Sequence, residues 1–156
     1  MGIDSKQLRE EIVQPTLRFL DLGNDDSAEE LLLGTASQES HMGTYLKQLG
    51  GGPALGIFQM EPATFQDLWD NVINHREELR EKVCDFEKYN FASNSMVYNL
   101  KFACAMARVQ YWRWPEKLPE PDDIEGLAKY WKKYYNSIEG KGTVAEFILN
   151  YKKFVK

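Results

Sequence analysis

The chain has little of what builds several common kinds of site. It holds two cysteines, Cys84 and Cys104, and two histidines, His41 and His75, in 156 residues. That is too few cysteines for the dense framework of a disulfide-stabilised small domain. The spacing of the four residues matches no tetrahedral zinc pattern, so neither a metal nor a cofactor is expected. Cys104 stands among Phe102, Ala103, Ala105 and Met106 and reads as a buried free thiol, because free cysteine behaves as a small hydrophobe. No apolar run approaches the roughly 20 residues that span a bilayer, so no stable membrane insertion is expected. Residues 1–20 are interrupted by Asp4, Lys6, Arg9, Glu10, Glu11 and Arg18, which leaves no apolar signal-peptide core. Synthesis in a cytosol is the expectation that follows. Positive charge is also scarce: the net charge of −5 argues against a nucleic-acid partner, whose phosphates select basic surfaces.

What is present points to one packed domain over 1–156. Apolar residues make up 43% of the chain and aromatics 13%, enough for a single core at this length. Helical periodicity predicts an amphipathic stretch over 5–21, with Pro15 bending or interrupting it. Ser27 with Glu30 has the form of a capping box for a second helix running to about Ser40. Gly50, Gly51, Gly52, Pro53 and Gly56 mark a loop or short hairpin. Pro62 suits the first turn of the next helix, and another is predicted over 75–86. Ser93 or Asn94 is placed to cap a helix from Ser95 to about Tyr111 that is apolar on nearly all faces, as buried central helices are. Asp122 is placed to cap a helix bearing Leu127 and Trp131, and Thr143 with Glu146 forms a second capping-box pattern. The predicted fold is all-α, with at most a minor hairpin, around a central buried helix.

One residue in this framework has the makings of a catalyst. Leu32, Ala36 and Glu39 fall at i, i+4 and i+7, so Glu39 shares the apolar face of its helix. Burial there disfavours the charged carboxylate, and the C-terminal end of the helix dipole opposes negative charge as well. Both effects favour a protonated acid near neutral pH, which glycoside cleavage requires. Spacing alone also fits a helix-end glutamate that turns to water.

Glu39-Ser40, followed by Gly56-Ile57-Phe58-Gln59 and then Pro62-Ala63-Thr64, resembles the soluble lytic transglycosylase and goose-type lysozyme superfamily. The wording around Gly51 to Gly56 is similar to small lysozyme-like proteins of tailed bacteriophages. Asn99-Leu100 with Ala103 matches a further motif of that family, and Leu127-Ala128-Lys129-Tyr130 partly matches its Ala-Tyr-Asn segment. Trp131 stands where the family carries the Asn, so Tyr134 or Tyr135 is an alternative to Tyr130.

The resemblance implies a lysozyme-like domain that cuts the glycan strands of peptidoglycan, with Glu39 as acid and then base. It implies that Ser40 supports the cleft and that Gln59, with the backbone of Gly56, Ile57 and Phe58, lines the sugar groove. Thr64 would start the following helix or support the groove, and Asn99 and Tyr130 would contact the sugar N-acetyl group. Such a protein would be made in a host cytoplasm and act on the wall or periplasm, either with a holin as partner or as part of a virion. A non-catalytic virion or scaffold protein of the same fold and a cleaver or binder of another N-acetylated polysaccharide such as chitin are the alternatives. Whether the product is an anhydro sugar or a hydrolysed end stays open at this point.

Overall fold

The computed structural model describes residues 1–88, 92–137 and 139–155. The protein is all-helical. In place of a hairpin, the 43–61 segment carries only isolated antiparallel bridges, Lys47 with Leu55 and Leu55 with Met60. Among the described residues no helix is long and apolar enough to cross a membrane.

The chain begins with α1 (Ser5–Gln7), a π-helical turn (Leu8–Val13) and α2 (Gln14–Leu20) in one continuous run. The interruption expected at Pro15 takes the form of that π-helical turn. The Gln14 N–H reaches the carbonyl of Arg9, five residues back, and the wider turn relieves the clash of the proline ring with the carbonyl before it.

The second helix, α3 (Asp25–Ser40), starts ahead of Ser27, so the Ser27–Glu30 capping box does not form. Asp25 and Asp26 occupy its first turn instead, where they complement the helix dipole. The Glu30 carboxylate is engaged by Arg9 and by the Tyr151 hydroxyl. After the loop come α4 (Pro62–Asn71), a 3-10 turn (Ile73–His75) and α5 (Glu77–Phe86). The helix predicted from His75 therefore starts two residues later.

The long apolar helix is split. Asn99 is extended (φ −103°, ψ 97°), and its side chain accepts from the Phe102 N–H. It thereby ends α6 (Ser95–Tyr98) and caps α7 (Leu100–Trp112), the role predicted for Ser93 or Asn94. Every residue from Phe102 to Tyr111 is buried, which makes α7 the central helix. Next, α8 (Ile124–Trp131) is capped by Asp123 rather than Asp122 and continues as a π-helical turn (Lys132–Asn136). Finally, α9 (Val144–Phe154) is capped by Thr143, as predicted.

Helix α9 lies along α3 at unusually short range. The Phe147 ring occupies the place where a side chain at Gly34 would be, 2.3 Å from the position of a Cβ there. Gly34 is thus what lets α9 pack closely on α3, and the contact runs on to the C-terminal end of α3, where Asn150 donates to Gln38 Oε1 at 2.7 Å and Phe154 stacks on His41.

Candidate active site

A cleft of about 980 Å³ opens at the C-terminal end of α3. Its walls are the loop that enters α4, the C-terminal end of α7, and the π-helical turn that follows α8. Glu39, the penultimate residue of α3, lines it together with Gln59, Thr64, Gln110, Trp114 and Tyr135.

Glu39 is mostly buried. Burial pushes its carboxyl from the ordinary 4.5 up to about 7. The indole N–H of Trp131 opposes part of that rise, without meeting hydrogen-bond geometry. Among the described residues no lysine or arginine acts on it. Three tyrosines surround the group. Burial raises the hydroxyls of Tyr45, Tyr111 and Tyr135, and the Glu39 charge adds to each. The Tyr45 hydroxyl donates to the Glu39 backbone carbonyl at 2.9 Å, satisfying one of the carbonyls left open at the end of a helix.

The neighbouring motif residues build the wall from behind. Ser40 is fully buried; its Oγ donates to the Ile57 carbonyl at 2.6 Å and accepts from the Gly43 N–H at 2.8 Å. Gly56 has φ +80°, and a Cβ there would lie 2.3 Å from the Met96 carbonyl oxygen, so only glycine fits. Ile57 and Phe58 bury their side chains completely in the core. Their carbonyls face the site's framework instead, accepting from Ser40 and, at 2.7 Å, from the Tyr135 hydroxyl. The groove-lining role expected for Gly56, Ile57 and Phe58 is therefore a supporting one. Gln59, itself at φ +49°, turns its side chain amide back to donate to the Gly56 carbonyl at 2.8 Å, and it lines the cleft with Thr64.

Two of the motif residues are not brought to the cleft. Asn99 is spent on capping α7 and on donating to the Phe86 carbonyl at 2.7 Å; it borders a separate depression beside Phe19 and Tyr98. Tyr130 is buried, and its hydroxyl donates to the Glu116 carbonyl at 2.9 Å. The π-helical turn explains the exchange of tyrosines. A turn with five-residue hydrogen bonds rotates the following side chains relative to an α-helical continuation, and here Tyr134 and Tyr135 face the cleft. Tyr135 stacks on Tyr111 with centroids 5.2 Å apart. Gln110 fixes the turn by donating to the Tyr134 carbonyl at 2.9 Å.

Sequence reasoning missed Gln110 and Trp114. Gln110 is one of few polar residues in an otherwise apolar helix, and that was the available signal. Trp114 is 38% exposed and stacks on Tyr134 at 5.3 Å; nothing in the local pattern places it at the cleft. Two further carboxylates, Glu61 and Glu146, line the same cleft but are exposed. Asp67 is tied to Arg113 and Asn71 on the outside. Among the described residues no group of three metal-ligating side chains is gathered. No family model, curated protein or solved structure matches this chain.

Proposed function

We propose that this protein cleaves the β-1,4 bond between N-acetylmuramic acid and N-acetylglucosamine in peptidoglycan, with Glu39 as its acid and base. The observation that carries the reading is the Glu39 carboxyl itself: mostly buried, at a cleft of about 980 Å³, unpaired with any cation among the described residues, and held near 7. A carboxyl in that state is protonated over much of the neutral range and gives up its proton readily there. The Glu-Ser and Gly-Ile-Phe-Gln resemblance supports the same assignment. The amides, hydroxyls and aromatic rings of the lining, beside the charged Glu61, Lys133, Lys141 and Glu146, suit a sugar chain, which is held by hydrogen bonds at its edges and apolar contact on its faces.

In the first step Glu39 donates its proton to the glycosidic oxygen, and the bond to the anomeric carbon breaks. The substrate's own N-acetyl oxygen supplies the electrons that a second carboxylate supplies in a two-acid glycosidase. Glu39, now a carboxylate, then takes a proton from the muramyl C6 hydroxyl, closing an anhydro ring, or from a water molecule, giving a free reducing end. Glu61 and Glu146, exposed on the cleft walls, are the groups available to orient that water.

The alternative of a non-catalytic virion structural protein rests on the net charge of −5, which is unfavourable for approach to an anionic wall. One experiment separates the two. Purified protein is incubated with peptidoglycan and the soluble products are identified by mass spectrometry. Released muropeptides that vanish in Glu39→Gln support the enzyme; no release by the wild type, or full release by Glu39→Gln, sinks it. Anhydro-muramyl ends or reducing ends among the products separate the two chemistries. A holin or virion proteins as partners, and a site of action at the cell wall, belong to the same proposal.

A further inference from the structure

Trp131 has a buried polar atom with no apparent use. The side chain is fully inaccessible, wedged between the Phe147 ring at 5.3 Å and the backbone of Gly142, where an added Cβ would meet its ring at 2.6 Å. Its indole N–H is buried without a hydrogen-bond partner among the described residues, an arrangement that folded proteins rarely retain without a reason. Among the described residues Trp131 is also the one side chain whose donor offsets the rise that burial gives the Glu39 carboxyl.

The other donors around the carboxyl are committed elsewhere. Thr35 donates to the Leu31 carbonyl, so the Tyr111 hydroxyl is the donor in its 2.7 Å contact with Thr35. The Tyr135 hydroxyl donates to the Phe58 carbonyl, and that of Tyr45 to the backbone carbonyl of Glu39. Glu61, Lys133, Lys141 and Glu146 line the same cleft, and none of them acts on the Glu39 carboxyl. Among the described residues, a Glu39 carboxylate therefore has one buried donor available to it.

We propose that Trp131 is a positioning residue for Glu39: its indole N–H holds the carboxylate that remains once the carboxyl has given its proton to the leaving oxygen. The inference rests on the acid–base reading of Glu39 given above. The proton balance is simple. The Glu39 proton goes to the glycosidic oxygen, the indole keeps its own, and the contact tightens because a hydrogen bond to an ionised acceptor is about twice as strong as one to a neutral acceptor. An interaction that strengthens as the proton leaves favours the transition state over the bound substrate. Packing against Phe147 and Gly142 fixes the ring in advance, so no reorganisation accompanies the step.

The test replaces the N–H and keeps the shape. Trp131→(3-benzothienyl)alanine, introduced by codon suppression, puts sulfur in place of the indole nitrogen; Trp131→Phe is the second variant. Circular dichroism identifies the folded variants. Carbon-13 NMR then titrates the Glu39 carboxyl in the absence of substrate, beside the pH profile of glycan cleavage. The expected result is a Glu39 titration moved upward by about one pH unit, an alkaline limb of cleavage that moves with it, and a lower kcat at nearly unchanged KM. A titration that stays in place in an active protein overturns the role of Trp131 alone. A wild type that cleaves no glycan removes the reading on which the proposal rests, and the titration, read without substrate, keeps the two failures apart.

Discussion

The Ser40 hydroxyl donates to the carbonyl of Ile57 at 2.6 Å, joining the end of the helix that carries Glu39 to the segment that carries Gln59. The same oxygen accepts from the Gly43 N–H. One buried side chain thus closes the turn after α3 and sets the distance between acid and groove. Ser40→Ala leaves a carbonyl and an N–H unpaired in the interior, at a cost of about 1–3 kcal/mol. Urea unfolding will show the lower midpoint with an unchanged slope. Cleavage at saturating glycan should fall with it, although Ser40 itself lines no part of the cleft.

Glu39 links activity and stability to pH in the same direction: both fall as pH rises. Its carboxyl sits near 7 in the folded protein, against an ordinary value of 4.5. The acid form is the active one, so cleavage should be flat below about 7 and fall tenfold per pH unit above it.

For stability, the folded state holds a proton that the unfolded chain has already lost between those two values. Stability is therefore full below about 4.5 and declines as pH rises to about 7, by about 3 kcal/mol in all. Glu39→Gln removes this dependence. The variant should match the wild type in thermal unfolding at about pH 4 and exceed it at about pH 8, while its cleavage is down by at least about 10²-fold. Equal stabilities at both pH values would mean that the carboxyl is not held protonated by burial.

Gly56 and Gly51 share a left-handed backbone, φ +80° and +85°, but differ in what surrounds them. Among the described residues an added Cβ at Gly51 meets nothing within 4 Å; at Gly56 it meets the Met96 carbonyl at 2.3 Å. Gly51→Ala should cost about 1 kcal/mol for the backbone alone. Gly56→Ala adds a clash with backbone that cannot rotate away, and should cost several times as much. Paired denaturant melts of the two variants measure the difference.

Lys132 organises the far wall of the cleft. Its ammonium donates to Asn136 Oδ1 at 2.7 Å and to the carbonyls of Gly140 and Gly142 at 2.9 and 2.6 Å. Lys132→Met preserves the stem and removes all three bonds, with an expected loss of about 1–3 kcal/mol and a several-fold higher KM for glycan. Lys133→Met is the control. Lys133 makes an exposed pair with Glu116, and exposed pairs contribute little, so its melting temperature should stay close to that of the wild type.

The residues themselves determined the class of fold, the centrality of α7, the Thr143 cap and the place of Glu39 on a buried helix face. All of these are local: a helix face repeats every 3.6 residues, and a cap acts within three. The tertiary structure decided the rest of the site. Asn99 has the spacing of a motif residue, yet a break in the helix turned it into a cap. Tyr130, Tyr134 and Tyr135 are nearly equivalent in sequence; a single π-helical turn, held by Gln110 from another helix, chose Tyr135 as the neighbour of Glu39. The Trp131 indole is held by Phe147 and Gly142, both from the C-terminal segment. Such placements depend on which distant surfaces meet, and no periodicity within one helix encodes that.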